Sequence, residues 1–157
     1  MDMSWANALT VIRTHLEAAG DAVTPKIPVV RLAAEQTAVR QITCEYDGDA
    51  DNPFTEGNTL SYRQVGEKLI IKVALPVASM DKEAAEDTEA MLQTIKEQIV
   101  SRLAGDHGLG GNSIGLEIGN ASTQWQQWQT KQGGVAEMRV LIIPVTVALI
   151  DVSAIAL

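Results

Sequence analysis

The first periodicity along the chain is helical. Trp5, Leu9, Ile12 and Leu16 recur at steps of four, three and four residues. That spacing puts them on one face of a helix over about 4–19, with Asn7, Thr10, Arg13 and Glu17 elsewhere on its surface. Asp2 or Ser4 suits its N-cap, and Gly20 suits the C′ position at its end. Pro25 and Pro28 mark 21–38 as an extended arm whose apolar part, Ile27 to Leu32, is free to pack or pair. The period then changes to two. In "VRQITCEY" (39–46), Ile42, Cys44 and Tyr46 share a side. In "EKLIIKVALP" (67–76), Leu69, Ile71, Val73 and Leu75 fall on one face, with Lys68 and Lys72 on the other. A long polar loop, about 47–60, separates the two strands.

A second helix is predicted over about 81–104, carried by Ala84, Thr88, Leu92, Ile95, Ile99 and Leu103. Asp81, Glu83, Glu86 and Asp87 crowd its first turns and Arg102 sits in its last, as the helix dipole favours. At 1.5 Å per residue it is roughly 36 Å long, enough to cross a sheet. Gly105 is its stop. Beyond it, "NSIGLEIG" (112–119) alternates with Ile114, Leu116 and Ile118 on one face, and "GNAS" (119–122) reads as a turn. A terminal hairpin over about 122–150 follows. Its first strand, "STQWQQWQTKQ", is polar and carries two tryptophans, and Gly133–Gly134 supply the tight turn.

The last strand, Val135 to about Ile150, breaks the alternation. In "RVLIIPVTVALID" (139–151) both faces are apolar. One face must meet the helices: Val140, Ile142 and Ala148, or else Leu141, Ile143, Val145, Val147 and Leu149. The other needs a cover, either from elsewhere in the chain, such as the arm 21–38, or from another subunit. Pro144 removes one ladder donor, which predicts a bulge or an edge at that point. The β-branched run, Pro144 and Asp151 favour a strand over a membrane-spanning helix. The order is helix, two strands, long helix, then three strands. It predicts one α+β domain over 1–157: a mainly antiparallel sheet with the N-terminal and long helices packed on one face.

Composition narrows the function classes. The 157 residues are 46% hydrophobic and carry a formal charge of −8. The first figure favours a folded core over disorder. The second argues against broad DNA binding, which depends on Lys and Arg neutralising phosphates, although DNA could still slide past such a protein. Cys44 is the sole cysteine, so no disulfide forms within the chain, which fits a reducing site of synthesis. Residues 1–9 have no basic stretch followed by an apolar core, so no secretory signal is expected.

The candidate chemistry is thin. The glycines of "GDHGLGGNSIG" (105–115) follow a helix and precede a strand, the reverse of a phosphate loop. A helix stop followed by a flexible connector is the preferred reading. In "DGDADN" (47–52), Asp47, Asp49 and Asp51 alternate as in a calcium loop. The positions that should hold Gly and Glu hold Asn52 and Asn58, however, so a solvated acidic loop is preferred. His15 and His107 are the only histidines and are unclustered, so no metal site or cofactor is expected. Cys44 reads as a core residue. No catalytic grouping emerges, and a non-enzymatic role is expected. Trp125 and Trp128, three apart in a strand, face opposite ways, so at least one is a candidate interface anchor.

Taken together, "WANALTVIRTHL" (5–16), "KLIIKVAL" (68–75), "DTEAMLQTIKEQIVSRL" (87–103) and "VLIIPVTVALI" (140–150), in this order, resemble the tail terminator and tail-completion proteins of long-tailed bacteriophages. The resemblance is one of pattern over most of the chain and transfers no functional residue individually. It implies a homohexameric ring in the virion, made in the host cytoplasm. The ring caps the tail tube, ends its polymerisation and meets the head-side connector, and DNA passes through its lumen. Under it, Trp125, Trp128, Leu141, Ile143, Val145 and Val147 are expected at a subunit or partner interface. Asp47, Asp49 and Asp51 are expected at the lumen or a neighbouring ring. Another head–tail joining or tail-tube component is the alternative, as is a small ligand-binding α+β domain.

Overall fold

The computed structural model describes residues 4–30, 37–49, 63–77 and 82–151. The chain is an α+β fold, with a five-stranded antiparallel sheet and two α-helices among the described residues. Helix α1 spans Trp5–Asp21. The Ser4 hydroxyl caps it by accepting the Asn7 N–H at 3.1 Å. Gly20 is not a C′ residue, because the helix continues through it. It is glycine because the chain returns against it: a Cβ there would stand 2.1 Å from the Ile27 carbonyl oxygen.

The arm reaches the sheet at its near end. Ile42 N–H bonds to the Pro28 carbonyl and Val30 N–H to the Ile42 carbonyl, a short parallel pairing on the edge of β1, Gln41–Asp49. Arg40 ties back to the Pro25 carbonyl at 2.9 Å. β1 outlasts its predicted end at 46. It bulges between Tyr46 and Gly48, and Gly48 supplies the positive φ. Asp47 and Asp49 therefore end a strand rather than open a loop; Asp51 and most of the predicted loop lie outside the described residues.

Strand β2, Arg63–Pro76, pairs with β1 on one side and with the 17-residue β5, Val135–Asp151, on the other. Helix α2 spans Lys82–Ala104. Two shorter strands share the far side of β5. β3, Gly115–Ile118, pairs with its Val145–Ala148 part, and β4, Ser122–Gln129, with its Val135–Ile142 part. Pro144 falls in the gap between them. Its carbonyl accepts the Gly119 N–H at 2.8 Å, so the donor it lacks would have pointed into the handover from β3 to β4. The proline thus sits neither at a bulge nor at a free edge but at a change of partner, where one N–H fewer costs least.

The odd-numbered face of β5 meets the helices. Leu141, Ile143, Val145, Val147 and Leu149 join Leu69, Ile71 and Val73 of β2, Ile12 and Leu16 of α1, and Leu92, Ile95, Ile99 and Leu103 of α2 in one buried cluster. Ala84 and Thr88, predicted on the same stripe of α2, are only half-buried. The opposite face is covered at one end within the chain. Ala74, Trp128, Met138 and Val140 form a second cluster with Ala38 packed against it. Towards the middle, Ile142 is half-buried and Pro144 exposed. The loop after α2 is pinned rather than flexible. Leu109 is fully buried in the main cluster, and Asp106 bonds His15 of α1. Ile114, predicted to share a face with Leu116, lies outside β3 and is 41% exposed.

Candidate functional site

The predicted interface residues separate into two groups. Leu141, Ile143, Val145 and Val147 are at most 2% exposed. Helices α1 and α2 already occupy the face they line, so no partner can reach them. Trp128 is likewise buried, on the other face, with its indole N–H donating to Gln126 Oε1 at 2.8 Å. Trp125 faces the opposite way, as its spacing from Trp128 requires, and is 47% exposed. It is the member of the predicted set that a partner can still touch.

Trp125 is held for contact. Opposite it on β5 stands Arg139, whose guanidinium lies 5.0 Å from the indole centroid. The same guanidinium pairs with Glu89 of α2 and donates to Thr123 Oγ1 at 2.9 Å. The arginine is thus held by three side chains from two elements, α2 and β4, and the indole rests on a planar cation fixed by hydrogen bonds. Val135, at the turn end of the same hairpin, is the most exposed large apolar residue described, at 65%. Across the sheet, Tyr46 of β1 is half-exposed, packs edge-on against Trp5 at 5.4 Å and donates its hydroxyl to Glu67 at 2.7 Å. The sheet therefore carries an exposed aromatic near each of its two sides.

Of the predicted acidic group, Asp47 is exposed at the β1 bulge and Asp49 ends the strand. Asp51 is outside the described residues, so the three are not shown to converge.

The sequence reading missed two groupings. Arg139, Trp125, Glu89 and Thr123 form the first. The second is His15 Nε2 and Asp106 Oδ2, 2.8 Å apart across 91 residues of sequence. The imidazole bond, with help from the Gly110 N–H, holds the Asp106 carboxyl below its ordinary range. Neither group has a local signature: the first is assembled only when α2 docks on the sheet, and the second only when α1 meets the loop after α2.

Among the described residues no group of three His, Cys, Asp or Glu side chains could hold a metal ion. Cys44 is buried, and desolvation pushes its thiol up to about 12, the opposite of an activated nucleophile. The cleft between α2 and β4, bordered by Glu89, Lys96, Thr123 and Leu141, holds about 140 Å³. That is small beside the several hundred Å³ usual for organic ligands. A larger hollow of about 400 Å³ is open and lies along Gln93, Lys96, Glu97, Val100 and Ser101 of α2 alone. No described helix is long and apolar enough to cross a membrane.

No family model matches the chain, and no curated protein matches it. Among solved structures, one protein whose name conveys no function is 17% identical, with a TM-score of 0.51 over 92% of this chain and 96% of its own. At that identity the likeness shows a shared fold and nothing further.

Proposed function

We propose that this chain is a structural subunit of phage tail assembly: a ring that caps the tail tube, ends its growth and meets the head-side connector. The observation that carries the reading is the placement of exposed aromatics near two opposite edges of one sheet, Trp125 on β4 and Tyr46 on β1. A closed ring is built from head-to-tail contacts, which require two unlike patches on each subunit. The order of elements, which resembles the terminator pattern, supports the same reading. So does the charge of −8, which suits a wall that DNA passes without being gripped. The contact surface differs from the one expected from sequence. It is the hairpin end with Trp125 and Val135, not the odd face of β5.

The test is to add the purified chain to polymerising tail-tube protein and to measure tube lengths by electron microscopy. The expected result is an early stop, with the added protein found at one tube end as a ring. Unchanged lengths together with no binding to tubes would overturn the reading. Long tubes formed by the chain alone would assign it to the tube itself.

A further inference from the structure

We infer that the outer edge of β4 pairs antiparallel with the same edge of a second copy, about a twofold axis at Trp125. The direction of each backbone group follows from the register. Pro144 and Ala148 of β5 accept from Gly119 and Ile114, so even-numbered residues of β5 turn their peptide groups towards β3 and β4. Their partners in β4 are Ser122, Gln124, Gln126 and Trp128. The alternate residues, Thr123, Trp125, Gln127 and Gln129, therefore turn N–H and C=O outward.

Among the described residues, the outer edge has one backbone partner, at its end: Ala38 N–H bonds the Gln129 carbonyl at 3.0 Å. That bond stops a ladder at Gln129, and among the described residues no backbone partner stands on the edge from Thr123 to Gln127, a stretch centred on Trp125. In an antiparallel pair centred there, Thr123 faces Gln127 of the second copy and the two Trp125 residues face each other. Their indoles then cover one another on the helix side of the sheet.

Three further observations select this edge and this occupant. Sheet edges are normally guarded by lysine, proline or a bulge. β4 has none of these, and its register with β5 is unbroken. The opposite edge, β1, is guarded: Pro28 and Val30 cover Ile42, and the strand bulges before Gly48. The chain carries −8, so two copies repel over most approaches, yet no charged side chain occurs from Ile118 to Thr130. A neutral window centred on Trp125 lets two copies of an acidic chain meet without like charges facing each other, which fits a second copy better than an unrelated peptide. The contact is twofold, whereas ring contacts are head-to-tail. Both use the Trp125 patch, so a copy engaged in one is not engaged in the other.

The test uses the full chain in sedimentation equilibrium over a dilution series, with two variants. Wild type is expected to rise from 16.8 kDa to about twice that mass. Gln127→Pro removes an outward N–H, which an edge strand tolerates. It is expected to weaken association about ten-fold or more, with an unchanged circular dichroism spectrum. Trp125→Cys is expected to cross-link to itself on mild oxidation, since facing residues in such a pair lie within disulfide reach. Val135→Cys, outside the window, is expected not to. A monomer throughout, an association untouched by Gln127→Pro, or no cross-link at position 125 would each overturn the pairing. A hexamer indifferent to Gln127→Pro overturns the pairing and leaves the ring reading standing. A dimer broken by Gln127→Pro, in a protein without effect on tubes, upholds the pairing and removes the ring.

Discussion

Gly119 and Pro144 fit together because one of them lacks a side chain. The Gly119 N–H bonds the Pro144 carbonyl at 2.8 Å, and a Cβ on Gly119 would stand 2.9 Å from Pro144 Cγ. Gly119→Ala is expected to force the two strands apart where β3 hands over to β4, costing about 1–3 kcal/mol. Urea unfolding followed by circular dichroism checks it. A loss below about 0.5 kcal/mol would mean that the proline ring moves aside freely.

Gly20→Ala is the stronger case. Alanine is the better helix former by about 1 kcal/mol, so an open site would gain stability. Here the new methyl meets the Ile27 carbonyl at 2.1 Å, and a backbone atom cannot rotate away. The expected outcome is a net loss of about 2 kcal/mol or more in the same assay. A stabilised protein would show that the return of the arm onto α1 is wrongly placed.

The His15–Asp106 bond gives a pH dependence of definite sign. The folded state lowers the Asp106 pKa, so its contribution is present above the ordinary carboxylate range. It is lost as pH falls through the lower, folded value. Both side chains are partly solvated, so the contribution is under about 1 kcal/mol. Asp106→Asn should be less stable than wild type at pH 7, and the gap should narrow towards pH 3. A gap that widens on acidification would contradict the geometry.

Cys44 should be silent in the native protein. Its thiol is buried and titrates at about 12, against 9.0 for a free one. Folding therefore favours the protonated form, and that contribution is retained below pH 9 and lost as pH rises towards the folded value. A thiol reagent at pH 8 should label it only at the rate of unfolding, and at once in denaturant. Rapid native labelling would show that β1 opens locally.

Elements whose signal is local were legible in the sequence. The stripes Ile12–Leu16 and Leu92–Leu103 and the alternation from Leu69 to Leu75 depend only on near neighbours, and they ended in the core as their spacing requires. The opposite orientations of Trp125 and Trp128 were also readable from strand parity. The partner of β5 was not. Parity shows that a strand has two faces, but not which one the helices take, and both faces of β5 are apolar. The odd face went under the helices, so Leu141, Ile143, Val145 and Val147 lost their proposed role. Gly20 was misread because a glycine near a helix end is usually there for its φ. At this position a carbonyl seven residues later is the reason. The Arg139 and His15 groupings depend on contacts 50 and 91 residues apart, which no spacing rule encodes.

The change of partner along β5 has a mechanical meaning. On one side β2 runs alongside it from Met138 to Asp151, while on the other the support is shared between β3 and β4, with Pro144 between them. A tear that starts at the hairpin tip and frees β4 therefore meets a natural stop at the proline, because the bonds beyond it belong to another strand. The sheet behaves as a plank with a saw-cut half-way along one side. Its hairpin end can flex or take up load while the end gripped by β3 stays locked to the core, and amide exchange in the two segments should be independent.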